Sequence, residues 1–137
     1  MVKIKLYQVD AFSDQLFSGN PAAVCPLEKR LPDEIMQAIA MENNLAETAF
    51  VNLDINPYEL RWFTPKTEVD LCGHATLATS KVLFERYLKK ERTEISFNSR
   101  SGILKANKQD NKIFLDFPRD QPSQIQNFDF VTDAINI

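Results

Sequence analysis

The side chains best equipped for chemistry fall in two short stretches. One is Asp70-Leu71-Cys72-Gly73-His74-Ala75-Thr76, which contains the chain's single histidine. Its pattern predicts a turn leading into a helix that begins near His74. A helix start leaves backbone N–H groups free, and these receive carboxylates or phosphates well. Gly73 would let such a ligand approach the backbone closely. The same residues read equally as an ordinary strand–turn–helix joint with a capping histidine. Cys72 stands where the helix dipole is expected to lower a thiol's pKa and raise its reactivity, although most free cysteines are small buried hydrophobes. Asp70 precedes the helix and gives little support to a hydrolase-like pair with His74. Cys72 and His74, two apart, are not expected to face each other on a helix.

The second stretch is Asn43-Asn44-Leu45-Ala46-Glu47-Thr48, at a helix-to-strand junction. Flanked by Leu45, Ala46 and Ala49, Glu47 would be partly desolvated, as a general acid/base working near neutrality needs to be. Taken alone it reads as a solvated loop charge.

The elements that must position these groups follow from periodicity. Val2, Ile4 and Leu6 alternate with Lys3 and Lys5, which predicts a first strand over 2–6. Ser18-Gly19-Asn20-Pro21 marks a loop, and Ala22 to Leu27 a second strand. Pro32, Asp33 and Glu34 open a helix with Ile35, Met36, Ile39 and Ala40 on one face, stopped at Asn43-Asn44. Thr48–Leu53 and Tyr58–Thr64 are strands. The second of these could stack bases through its aromatic and basic residues, but it reads better as a core strand. Ala75, Leu77, Ala78, Val82, Leu83 and Phe84 surround a helix from His74 to Leu88, which predicts burial on several sides. Three strands follow near Thr93–Asn98, Gly102–Lys108 and Lys112–Phe117. From Pro118 onward, prolines and glutamines suggest a linker, and Phe130–Ile137 reads as the start of another apolar element. The expected division is therefore a domain over 1–117 and a linker with the start of a second domain over 118–137.

Composition narrows the classes. The chain has 137 residues, 44% of them apolar, which suits one domain with a real core. A net charge of −3 argues against general nucleic-acid or membrane-surface binding. With three glycines no dinucleotide fingerprint or phosphate-cradling loop can be written. Two cysteines and one histidine are too few for a structural zinc site, and no metal is expected. The opening shows no apolar signal segment, so reduced thiols in the cytoplasm are expected.

Several stretches together resemble the phenazine-biosynthesis PhzF-like family. They are Tyr7-Gln8-Val9-Asp10-Ala11-Phe12, Phe17-Ser18-Gly19-Asn20-Pro21-Ala22-Ala23-Val24, Glu42 through Phe50, Arg61-Trp62-Phe63-Thr64-Pro65, and Asp70 through Thr76. The resemblance implies an α+β fold like one half of diaminopimelate epimerase, a mixed, barrel-like sheet wrapped around a central helix. It implies a cofactor-independent isomerase that moves a proton on a small carboxylated metabolite, as the best-understood member does on a dihydro-hydroxyanthranilate. Glu47 then matches the family's general acid/base, His74 a substrate contact, and Gly73, His74, Ala75 and Thr76 the segment that receives the substrate carboxylate. Cys72 matches the thiol of the related epimerases, which use one cysteine per half; here the other cysteine, Cys25, lies in the same half. The family's second half, with an aspartate and a Gly-Ser-rich turn, has no counterpart in this sequence. Truncation, a separate second-half polypeptide and a homodimer carrying two copies of Glu47 stay open, as does an inactive domain that binds a ligand or partner.

Overall fold

Alternation along the strands decides which side chains face which layer. In the computed structural model, which describes residues 1–123, the elements are β1 (Tyr7–Ala11), β2 (Asn20–Leu27), α1 (Asp33–Asn43), β3 (Glu47–Asn52), β4 (Tyr58–Phe63), β5 (Glu68–Val69), α2 (Gly73–Arg86), β6 (Glu94–Ser99), β7 (Gly102–Gln109) and β8 (Lys112–Asp116). Side chains of a strand point alternately to opposite faces. On one face Ala22, Val24, Ala49, Val51, Leu60 and Trp62 pack with Ala75, Ala78 and Leu83 of α2. On the other, Cys25, Leu27, Phe50 and Phe63 pack with Met36 and Ala40 of α1. Burial on both faces explains why β2 and β3 read as continuous apolar runs.

The sheet order is β1-β2-β3-β4-β6-β7-β8, with β5 paired to β4. The β2/β3 and β4/β6 pairs are parallel and the others antiparallel. Each parallel pair needs a crossover. The first passes through α1 on the outer face, and the second through β5 and α2 on the inner face. α2 packs against β1, β2, β3 and β8. Since β1 and β8 are the two ends of the strand order, the sheet curls around the helix.

A helix so enclosed must satisfy its own polar side chains. Thr76, Thr79 and Ser80 are fully buried. Each hydroxyl donates to the carbonyl four residues back, on Cys72, Ala75 and Thr76, at 2.6, 2.7 and 2.8 Å. At the outer face Arg61 of β4 ties α1 to β5. Its guanidinium donates to Asp33 at 2.6 and 3.1 Å and to Glu68 at 2.7 and 2.6 Å. β4 is thus a core strand, with Trp62 buried on the inner side and the Arg61 charge committed to ion pairs.

The first strand differs from expectation. Residues 2–6 are not strand, and β1 begins at Tyr7. Its register explains the shift: Tyr7 pairs with Val24, and β2 beyond Val24 has no β1 partner. Tyr7 and Val9 pack on the α2 side, whereas Ile4 packs against the α1 cluster. Of the first run only Ile4 reaches the core, on the face opposite to Tyr7 and Val9, while Val2 and Leu6 are exposed. The connection between β1 and β2 demands glycine at position 19, where φ is +109° and a Cβ would lie 2.5 Å from the Ala11 carbonyl oxygen. β5 is an addition that two residues of sequence could not announce. Residues 118–123 are exposed and belong to no helix or strand. The element expected over Phe130–Ile137 lies outside the described residues.

Enclosure of α2 makes its core positions unforgiving. Leu83→Ala, at a side chain with no exposure, is expected to cost ~2–5 kcal/mol of unfolding free energy. Met41→Ala on the exposed side of α1 should change it by less than ~0.5 kcal/mol. Urea denaturation of the two variants checks this.

Candidate active site

α1 ends where Asn44 adopts a left-handed conformation, φ 52° and ψ 35°, with its N–H donating to the Ala40 carbonyl. Leu45 and Ala46 then return the chain to the sheet, and Glu47 is the first residue of β3, opposite Ala22 of β2. Asn43 Nδ2 donates to Thr48 Oγ1 at 3.1 Å, which fixes the helix end to the strand start. On the inner face α2 begins at Gly73, with Cys72 as its extended N-terminal flanking residue. These two beginnings meet. His74 Nε2 lies 3.1 Å from Glu47 Oε2, with the histidine side chain 9% exposed and the glutamate 19%.

The contact is close but poorly aligned for a hydrogen bond, so both atoms are buried without a partner. Among the described residues three buried side-chain nitrogen or oxygen atoms are in this condition, and two belong to this pair. A buried polar group left unsatisfied costs ~1–3 kcal/mol. Such groups are rare in native structures, and each one asks for an explanation.

The other expected site residues divide. Cys72 Sγ lies 3.3 Å from His74 Nδ1, contrary to the expectation that residues two apart do not face each other. That rule holds within a helix, and Cys72 lies just outside it, at φ −147° and ψ 113°. The thiol's acidity also departs from expectation. Burial pushes its pKa up to about 11, against backbone N–H groups of Ala75 and His74 that pull it down, and the Glu47 charge adds to the rise. Desolvation outweighs the helix terminus here because the thiolate would have to form inside the core.

Asp70 is not part of the cluster. Its side chain is 76% exposed and its carboxylate lies 3.8 Å from Arg100. Ala75 and Thr76 are wholly buried. Thr76 donates both its hydroxyl and its N–H to the Cys72 carbonyl, at 2.6 and 3.2 Å. Within the expected carboxylate-receiving segment, Gly73 is the partly exposed residue. A Cβ built there meets only the Phe117 ring, at 3.8 Å. Sequence reading placed Phe117 at the end of a strand and gave no sign that it borders the α2 start. The concavity of about 350 Å³ between β1, β8 and α2 contains neither Glu47 nor His74.

Glu47, Cys72 and His74 each offer a donor atom within 4.8 Å of the others, a set that could hold a metal ion. The thiol and the carboxylate, however, meet different ring nitrogens. One ion would take a single ring nitrogen and could not occupy both contacts, and a thiol with so high a pKa is a costly ligand to deprotonate. No helix among the described residues is long and apolar enough to cross a membrane.

The sequence profile of the phenazine biosynthesis-like proteins (PhzC-PhzF) matches residues 9–129. An uncharacterized isomerase of Pseudomonas aeruginosa is 48% identical over 136 residues, which are 99% of this chain and 52% of that protein. The crystal structure of a PhzF-family protein from Enterococcus faecalis matches with a TM-score of 0.83 and 49% identity, over 96% of this chain and 50% of that one. A predicted epimerase of Pseudomonas aeruginosa, at a TM-score of 0.68 and 23% identity over 82% of this chain and 42% of its own, shares the fold. The architecture is accordingly the α+β, diaminopimelate epimerase-like half that the sequence motifs led us to expect. The chain spans about half the length of the curated relatives it matches.

Both cysteines are buried thiols, Cys25 raised to about 12 and Cys72 to about 11 from an ordinary 9.0. A raised thiol pKa stabilises the fold fully below the unfolded value and loses that contribution as pH climbs through the folded one. Stability should therefore decline from about pH 9 toward 11–12. Denaturation midpoints across that range, compared with those of Cys25→Ala, measure the effect.

Proposed function

The chain belongs to the phenazine biosynthesis-like (PhzC-PhzF) family, and from this we propose that it is the N-terminal half of a cofactor-independent isomerase. The reaction is a proton shift on a small carboxylated metabolite. Glu47 takes a proton from a carbon of the substrate, the double-bond electrons shift along the carbon frame, and the same carboxyl returns the proton at another carbon. His74 contacts the substrate beside it, and the start of α2 around Gly73 receives the substrate carboxylate, where the helix terminus favours negative charge.

The observation that carries this reading is the meeting of Glu47 with His74 at 3.1 Å, both reacting atoms buried and without a hydrogen-bond partner. A preorganised pair of this kind has capacity left for a third group, which a structural ion pair does not. Thiol-based epimerisation through Cys72 is less well supported, since a thiol raised to about 11 is protonated at neutral pH. A second half, supplied by a longer chain, another polypeptide or a second copy, would close the cleft over Glu47 and His74.

Solvent deuterium incorporation into a panel of small unsaturated carboxylates, a dihydro-hydroxyanthranilate among them, tests the reaction. In the complete enzyme Glu47→Gln should lower exchange about 10²–10⁴-fold with the fold intact, and undiminished exchange would overturn the assignment. Carboxylate binding without any exchange would favour a binding domain instead. Gly73→Ala should leave stability within about 1 kcal/mol, because alanine is the better helix former and the added Cβ meets only Phe117. Carboxylate affinity, measured by calorimetric titration, should nonetheless fall as the methyl group obstructs the approach to the backbone.

A further inference from the structure

Cys72 takes no part in the proton shift proposed above, yet its thiol meets the imidazole that contacts the substrate. A neutral imidazole carries one N–H, and the partner at each nitrogen decides which one holds it. At Nε2 the neighbour is the Glu47 carboxylate, 3.1 Å away. An ionised carboxylate accepts only, so it favours a proton on the facing nitrogen. At Nδ1 the neighbour is the Cys72 thiol, 3.3 Å away. The protonated thiol has two acceptors in reach, this nitrogen's lone pair at 3.3 Å and the Glu47 carboxylate within 4.8 Å, and the nearer one is the ring nitrogen. The two neighbours therefore select the same form of the ring. Around them the joint is held firmly, since Thr76 donates its hydroxyl and its N–H to the Cys72 carbonyl at 2.6 and 3.2 Å. The thiol itself is walled off from solvent, Cys72 being 8% exposed.

We propose that Cys72 is a positioning residue that holds His74 as its Nε2–H tautomer, so that the ring's proton faces Glu47 and the reacting groups. The inference rests on Glu47 and His74 forming the reactive pair, which gives the lock its purpose. Without the S–H donor, the Nδ1 lone pair is left unpaired in a dry environment, and the Glu47 contact, which is poorly aligned, is left to hold the tautomer alone. In the other tautomer Nε2 would turn a lone pair toward the carboxylate, and the site would have two acceptors face to face. The lock also accounts for a cysteine with a high pKa at a helix start, where a reactive thiolate would be the usual expectation.

The test is direct because the chain contains one histidine. With imidazole nitrogens labelled with ¹⁵N, the 137-residue chain yields one pair of ring signals, read at a pH where the ring is neutral. The wild type should show Nε2–H as the dominant form. Cys72→Ser, which keeps a donor, should retain it, whereas Cys72→Ala should show a measurably larger Nδ1–H fraction than wild type. A wild-type ring protonated on Nδ1, or an alanine variant indistinguishable from wild type, would overturn the proposal. If the alanine variant does not fold, the wild-type and serine spectra decide: Nδ1–H in either overturns it, and Nε2–H in both supports it. None of these readings uses turnover. Full activity of Glu47→Gln would sink the functional reading without altering the spectra of the unsubstituted chain, so the two failures are distinguishable.

Discussion

Everything in this half-barrel depends on enclosing α2. One sheet supplies partners on most sides of the helix, from β1 at one end of the strand order to β8 at the other. A helix in such surroundings cannot keep a solvated polar stripe, and Thr76, Thr79 and Ser80 turn their hydroxyls onto its own carbonyls. With Ala75 and Ala78 they also keep the helix slim, so that the sheet can approach closely. Enclosure fixes where the helix begins, and the beginning is where the chemistry lies.

The position of β3 is fixed by the same packing from the other face. α1 lies outside the sheet and stops at a left-handed Asn44, so β3 starts beside β2 with Glu47 as its first residue. Two element starts, separated along the chain but adjacent across the sheet, bring a carboxylate and an imidazole together at low exposure. Low local dielectric strengthens whatever these groups do to each other and to a third group. It also reverses the expectation for Cys72. A helix terminus favours a thiolate only where water or a counter-charge can help carry it, and here burial dominates and the nearest charge is negative.

Much of the fold was legible in the sequence. β2, α1, β3, β4, α2 and the three closing strands lie within two residues of where periodicity and capping residues place them. Core composition could be read because apolar runs buried on two faces differ from alternating ones. The first strand was misplaced since two alternating runs of opposite phase follow each other, and only pairing with β2 selects the second. β5 was missed because a two-residue strand has no periodicity to detect. Asp70 offered only weak support for a pair with His74 because it precedes the helix, and the turn directs its carboxylate toward Arg100. The contact between Cys72 and His74 was ruled out with a helical rule that does not apply one residue before the helix.

The sequence by itself determined the kinds of element, their order, and which residue types were available for chemistry, because local propensity, capping and apolar spacing act over a few residues. It also carried the family motifs that singled out Glu47 and the segment from Asp70 to Thr76. Tertiary structure alone decided which of those groups meet, how dry they are and which ring nitrogen faces which partner. Those quantities depend on strand pairing and on the curl of the sheet, which bring residues far apart in sequence within 3.1 Å and leave them at low exposure.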